Sequence, residues 1–416
     1  MKILISAYAC HPLATEDSYP GEAILGWNLV RQLSRRHELW VITRAYNREA
    51  IERAQKQGEA AHVTFLYLAL PRAFEGLLRN FFGFRIYYLF WQIKAYRIAR
   101  RIHRRVLFEA FHQITFSNDW MPSFIGALLP IPFLWGPIGG GQEVPPALLK
   151  ELDWKNRALE RARGLGQAFW RRSYFRTKGV RRAAAILVCN RETEGKILPY
   201  NRKIHFFPVN GIAPGDCPAE AGLQSPGGSK FRILFAGRLD PIKGLRLGLK
   251  AFEQFSLKNP NAVLEIVGSG PQEASLKRFA AARNLRSNIV WTPWLRRPEL
   301  LSKMAGCDVF LFPSFRDGGG AVVVEAMAAG KPVIGLDVGG PGFHIEPEWG
   351  IKIPPWNSER VVREMAESLE LLYLDEGLKT RLGRAARKRA NEFYVWDRLG
   401  DKLLEIYETA LLPEAH

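Results

Sequence analysis

Two short segments gather the residues best suited to hold an anionic ligand. Residues 237–244, GRLDPIKG, place Arg238 and Lys243 on a turn directly after an apolar run. A guanidinium offers phosphate oxygens a planar fork, and an ammonium offers a mobile point charge. Residues 314–330, SFRDGGGAVVVEAMAAG, set Asp317 before Gly318, Gly319 and Gly320, then place Glu325 inside an apolar helical stretch. Glycines let the backbone approach a ligand closely. The amides that open the following helix favour anions. A carboxylate among apolar neighbours is costly to bury unless something binds it. Hydroxyl groups of a ligand, a backbone amide or an arginine would each serve Glu325. Asp317 reads either as a turn former or as a partner for ligand hydroxyls. Arg238 and Lys243 read either as phosphate ligands or as surface cations paired with Asp240.

The elements that must position these residues follow from alternation. KILISAY, ELWVITR, VTFLYLA, QITFSND, PFLWGP, AAAILVCN and KIHFFPVNG read as buried strands of the first half. FRILFAGRL, AVLEIVGSG, NIVWTPWL, VFLFPS, KPVIGLD and GIKIPP read as strands of the second. Helical patterns such as 22–35 and 245–257 lie between them. This order predicts an α/β fold of parallel sheets covered by helices on both faces. Residues 213–230, APGDCPAEAGLQSPGGSK, lack periodicity and read as a linker between two Rossmann-like units. Ligands of open α/β sheets bind beyond the carboxyl ends of the strands, so two such units facing each other would form a cleft.

A chain of 416 residues suits two domains of ordinary size. No apolar run reaches the ~18 residues of a transmembrane helix, and KILISAYAC reads as a first strand rather than a signal peptide. The four cysteines are scattered, which fits a cytoplasmic protein and argues against a disulfide frame or a zinc site. The net charge of +18 implies an anionic partner or surface. It concentrates in two places: nine Lys/Arg from 72 to 105, and ten from 154 to 182, both interleaved with aromatics. On a helical wheel Trp91, Ala95, Ile98 and Ile102 share one face, with Lys94, Arg97, Arg101 and Arg104 beside it. That is the pattern of a helix lying on an anionic membrane; the alternative is a solvated helix whose aromatics pack on the core. No nucleic-acid recognition motif accompanies the charge.

With these motifs in place, the chain resembles a family 4 glycosyltransferase. The resemblance is strongest from 231 to 342. It implies a GT-B architecture: an acceptor domain over 1–213, a linker at 214–230, a donor domain over 231–391, and a helix at 392–416 that crosses back. It implies a retaining enzyme that takes a UDP- or GDP-linked hexose to a glycan or lipid-linked acceptor in envelope or polysaccharide synthesis, with no metal. GRLDPIKG is similar to the family's phosphate loop, so Arg238 and Lys243 inherit diphosphate binding. The family's paired acids fall on Asp317, toward the donor sugar, and Glu325, toward ribose. Asp317 stands where the family usually has Glu, and DGGG replaces Glu-Gly-Phe-Gly. Gly21 would head a helix facing the donor phosphates, and Gly139, Gly140 and Gly141 would line the acceptor side. His112 matches the family's cleft histidine, which helps orient or stabilise the reacting sugar. Gly268 and Leu295 match strand ends that line the nucleotide pocket. No Asp-x-Asp metal motif, Walker loop or nucleophile elbow occurs. A nucleotide-sugar epimerase of the same fold, or a catalytically weak nucleotide-sugar binder, are the alternatives.

Overall fold

The computed structural model describes residues 1–12, 21–79, 81–216 and 230–411. Most of the expected linker lies outside the described residues.

Seven parallel strands form the first sheet: β1 Lys2–Ser6, β2 Glu38–Arg44, β3 Thr64–Leu68, β4 Ala110–Gln113, β5 Phe133–Ile138, β6 Ala183–Val188 and β7 Ile204–Phe206. Their order is β3-β2-β1-β4-β5-β6-β7. Six parallel strands form the second sheet: β8 Phe231–Ala236, β9 Ala262–Val267, β10 Ile289–Thr292, β11 Val309–Phe312, β12 Val333–Leu336 and β13 Gly350–Ile353, ordered β10-β9-β8-β11-β12-β13. The central strands are apolar on both faces because helices cover both faces. Ile3, Leu4, Ile5, Ile233, Leu234 and Phe235 all lie in the core.

One strand differs from expectation. QITFSND was expected to be extended throughout, but β4 ends at Gln113. The segment then leaves the sheet: Phe116 has φ 54° and Asn118 makes only an isolated bridge with Gly139. The true strand, AFHQ, is short enough that its pattern merges with the loop.

The order of each sheet reverses once, between β1 and β4 and again between β8 and β11. Crevices open at such reversals, beyond the carboxyl ends of the strands. In the second sheet the two flanking loops are 237–243 and 313–320, the two segments singled out by chemistry.

The C-terminal segment ties the two units together. A π-turn, Ala390–Tyr394, ends at Val395, which bridges to Ile212. Helix Trp396–Leu411 then buries Trp396, Leu399, Leu403 and Tyr407 in one cluster with Ile3, Ile5 and Leu29. Gly211 is required at this crossing, because a Cβ there would lie 2.6 Å from the Trp396 ring.

Helix Phe81–Val106 decides between two readings. Trp91 and Ala95 are fully buried, and Ile98 and Ile102 pack against the same core. Of the two readings of this apolar face, membrane or core, the core is the one realised, and Arg97, Arg101 and Arg104 beside it meet solvent.

Candidate functional site

The loop after β8 turns at Gly237 and reaches a short 3-10 turn, Pro241–Lys243. Gly244 closes it with φ 64°, and a Cβ there would stand 2.0 Å from the Pro313 carbonyl oxygen. The Phe315 amide donates to the Ile242 carbonyl at 2.8 Å. The two loops of the sheet reversal are therefore packed backbone to backbone, which only a glycine at 244 permits. Gly268, after β9, is equally constrained: its Cβ would fall 2.0 Å from the Gly237 carbonyl oxygen. Leu295 is partly buried against the core of the second domain.

Lys243 and Asp317 meet across these loops. The Lys243 ammonium donates to Asp317 Oδ2, while Asp317 Oδ1 accepts from the amides of Gly319 at 3.1 Å and Gly320 at 2.8 Å. Burial alone would raise the Asp317 carboxyl; Lys243 and the two amides overrule it and hold it below the ordinary carboxylate range. Two of the glycine-loop amides expected to face a ligand are thus capped by the loop's own aspartate. Arg238 is exposed over about 68% of its side chain and donates to Asp240 at 2.9 Å. The pairing with Asp240 that the sequence left open is the one observed.

Glu325 sits on helix Ala321–Ala328 and accepts from Arg297 Nε at 2.8 Å. Arg297 also forks Asp216 at 3.1 and 2.7 Å. The arginine partner is therefore the one realised for Glu325, and the two carboxylates raise the Arg297 pKa despite its burial.

His112 requires a correction. It was expected to face the reacting sugar in the cleft, yet it is 0% exposed in the middle of the first sheet. Its Nε2 lies 2.7 Å from the Gly136 carbonyl and its Nδ1 lies 2.7 Å from the Tyr407 hydroxyl. A carbonyl oxygen only accepts, so Nε2 carries the proton and Nδ1 accepts from the tyrosine. Burial drives the pKa down to about 4. This is a neutral histidine with both ring nitrogens satisfied inside the core.

Around the first reversal, Gly21 opens helix Gly21–Leu33 with nothing within 4 Å of a Cβ placed there. Gly139, Gly140 and Gly141 serve close packing. A Cβ at Gly140 would stand 2.6 Å from Asp119 Oδ1, and one at Gly141 2.5 Å from Thr193 Cα.

Two acids here escaped sequence reasoning. Asp119 is fully buried; Arg171 bonds its Oδ2, but Oδ1 has no hydrogen-bond partner. Glu22 follows Gly21, and burial pushes its carboxyl up to about 7, with the Phe116 backbone hydrogen bond a weaker opposing influence. The available signal was position: both acids stand by loops at the first sheet's reversal. Among the described residues no group of three or more His, Cys, Asp or Glu could hold a metal ion, and no helix is long and apolar enough to cross a membrane.

The two domains meet at the glycine loop. The Gly318 carbonyl accepts from Asn190 at 3.1 Å and from Cys189 Sγ at 3.3 Å, both in the first domain. The Gly319 carbonyl accepts from Asn210 at 2.6 Å and from His344 Nε2 at 2.7 Å. Glu192 accepts from the Gly339 amide at 2.7 Å, and Glu160 pairs with Arg316 at 2.9 Å.

Residues 224–389 match the family model described as Glycosyl transferases group 1. A D-inositol 3-phosphate glycosyltransferase of Arthrobacter sp. (strain FB24) is 32% identical over 198 residues, covering 46% of each chain. A GDP-mannose-dependent monoacylated alpha-(1-6)-phosphatidylinositol monomannoside mannosyltransferase of Corynebacterium glutamicum is 28% identical over 41% of this chain and 45% of that one. The matched stretch thus spans under half the length of these curated relatives. The structure of Anabaena HepE in complex with UDP superposes with a TM-score of 0.62 at 15% identity, covering 98% of this chain and 100% of that one. The fold is GT-B: two Rossmann-like domains with a cleft between them.

Proposed function

We propose that this chain, with its GT-B fold and a second domain similar to glycosyl transferases of group 1, moves a sugar from a nucleotide diphosphate donor to a glycan or lipid-linked acceptor with retention at the anomeric carbon. The observation that carries this reading is the packing of two loops at the reversal of the second sheet. One bears Arg238 and Lys243, the other Asp317 and three glycines, and both lie inside the stretch that matches the family. The relatives support a phosphorylated or lipid-borne acceptor, since one is named for inositol 3-phosphate and another for a phosphatidylinositol mannoside.

The donor diphosphate lies against Lys243 and Arg238, which exchange Asp317 and Asp240 for phosphate oxygens. As the sugar–phosphate bond breaks, negative charge grows on the leaving diphosphate, and fixed cations lower that barrier. Asp317, released from Lys243, receives sugar hydroxyls. Glu325, oriented by Arg297, takes the ribose hydroxyls. The acceptor hydroxyl attacks on the face the diphosphate is leaving, and a leaving-group oxygen takes its proton. No metal is required, because Arg238 and Lys243 supply the positive charge. The sugar is of hexose type, carried by uridine or guanosine diphosphate, with the acceptor presented at the cytoplasmic side of an anionic membrane.

Thermal-shift screening against a panel of nucleotide sugars tests the reading. One donor is expected to raise the melting temperature by mass action, and Arg238→Ala or Lys243→Ala to abolish that rise. No shift with any nucleotide sugar would sink it. Release of an epimerised free nucleotide sugar would instead assign the site to an epimerase.

A further inference from the structure

Helix Trp154–Arg171 is amphipathic in reverse. Its polar stripe, Glu160, Arg163, Gln167 and Arg171, recurs at helical spacing and faces the protein. Gln167 is the buried residue of the helix. Arg163 donates to the Gln142 carbonyl at 2.9 Å, Glu160 pairs with Arg316 at 2.9 Å, and Arg171 bonds Asp119. Its apolar stripe faces solvent: Trp154 is 69% exposed, Leu165 74% and Phe169 73%. At 100° per residue, Trp154, Leu165 and Phe169 lie within one narrow arc of the helix. Such an arc of large apolar side chains carries a continuing hydrophobic cost in water.

The exposed surface does not end with this helix. An apolar groove of about 300 Å³ lies beside it, lined by Ile86, Phe90, Ile93, Phe124, Trp170 and Phe175. Along helix Phe81–Val106 the outward stripe Ile86, Phe90, Ile93 continues at helical spacing into Arg97, Arg101 and Arg104. Exposed Lys155 and Arg161 lie on either side of the apolar arc, and exposed Arg172 and Arg181 follow the helix in the chain.

We propose that the outward face of helix Trp154–Arg171, with the adjoining groove, docks this protein on an anionic lipid bilayer, its aromatic and leucine side chains entering the headgroup boundary while the flanking cations meet lipid phosphates. Charge complementarity selects this occupant. An apolar arc bordered by lysine and arginine matches a surface with hydrocarbon below and negative charge above. A second copy of the same face would bring these cations against one another in a chain of net charge +18. The inward stripe gives docking a route to the cleft, because Glu160 holds Arg316, the neighbour of Asp317. The surface deepens the acceptor side of the proposed function and rests on that reading only for what the membrane supplies. Vesicle binding without sugar transfer would defeat the transferase reading alone; transfer without vesicle binding would defeat this one.

Flotation of the full chain tests the proposal, using vesicles of phosphatidylcholine alone and vesicles with about one third phosphatidylglycerol. Binding is expected to the anionic vesicles and to weaken with salt. The double substitution Leu165→Asp, Phe169→Asp is expected to weaken it at least ~10-fold without lowering the melting temperature. Leu257→Asp, at an exposed leucine of the other domain, is expected to change nothing. Brominated lipid is expected to quench tryptophan fluorescence, with part of that quenching lost in Trp154→Phe. Three results would overturn the proposal: no flotation with anionic vesicles, flotation unchanged in the double variant, or a wild-type dimer that the double variant converts to monomer.

Discussion

Lys243 and Asp317 close an ion pair between the two loops at the reversal of the second sheet, and the same aspartate caps the amides of Gly319 and Gly320. One carboxylate thus holds both the cation proposed for the diphosphate and the glycine loop. Its two jobs separate by substitution. Asp317→Asn keeps an acceptor for the amides but drops the charge that holds Lys243. Asp317→Ala loses both and is expected to cost about 1–3 kcal/mol more in urea unfolding than Asp317→Asn. Transfer is expected to fall at least ~10-fold in both. A loss of transfer in Asp317→Ala alone would show that the charge is irrelevant.

The pH dependence of stability follows from two histidines built alike. His112 joins the Gly136 carbonyl to the Tyr407 hydroxyl, and His344 joins the Gly319 carbonyl to the Tyr394 hydroxyl, with all four contacts at 2.7 Å. Burial lowers both histidines from 6.5 to about 4. Below pH 6.5 the unfolded chain binds protons that the folded chain refuses. Stability is therefore full above pH 6.5 and is lost as pH falls toward 4, by roughly 3 kcal/mol per histidine. Unfolding free energies measured between pH 7.5 and 4.5 are expected to fall in this direction, and less steeply in a Tyr407→Phe background if that variant already disturbs His112.

Tyr407→Phe and Tyr394→Phe each leave a buried imidazole nitrogen without its donor. Each is expected to destabilise by about 1–3 kcal/mol. Both hydroxyls belong to the C-terminal segment that ties the domains, so cleavage of that segment by protease is expected to rise with them. Unchanged melting temperatures in both variants would show that these hydroxyls do not hold that segment in place.

Much of the architecture was legible because parallel strands buried on both faces are short apolar runs, as in KILIS and FRILFA. Loops after such strands could be placed for the same reason, which brought 237–244 and 314–320 together before any coordinates. What could not be read were partners distant in sequence. Nothing near His112 announces Tyr407, and the Arg297 that satisfies Glu325 also reaches back to Asp216. Helical periodicity also shows that a helix has two faces without saying which meets the protein. Hence Trp91 and Ala95, which the pattern allowed either to a membrane or to the core, are core, while Trp154, Leu165 and Phe169 are exposed.

Glu22 provides a test of the first domain's chemistry. With its pKa near 7, its carboxyl changes charge in the range where transfer would be assayed. The folded value is raised, so protonation is favoured in the fold and this group's contribution to stability declines as pH rises from about 4.5 to 7. If the carboxyl takes part in positioning the acceptor, the pH profile of kcat/KM is expected to show a limb near 7 that vanishes in Glu22→Gln. An unchanged profile in that variant would assign Glu22 to packing.

The glycine loop sets the last test, because it is where the domains touch. A Cβ at Gly319 would stand 2.3 Å from Val209 Cγ2 and 2.7 Å from Asn210 Nδ2, both on the first-domain side. Gly319→Ala must therefore displace the Asn210 and His344 hydrogen bonds to its carbonyl or push the domains apart. Either way the spacing of Lys243 from the opposite wall changes, whereas the core of each domain is untouched. The expected result is a fall in kcat of at least ~10-fold, the scale on which small misplacements act, with donor-induced thermal shift largely retained. Equal loss of donor binding and turnover would mean that the loop serves the donor pocket alone and not the closure between domains.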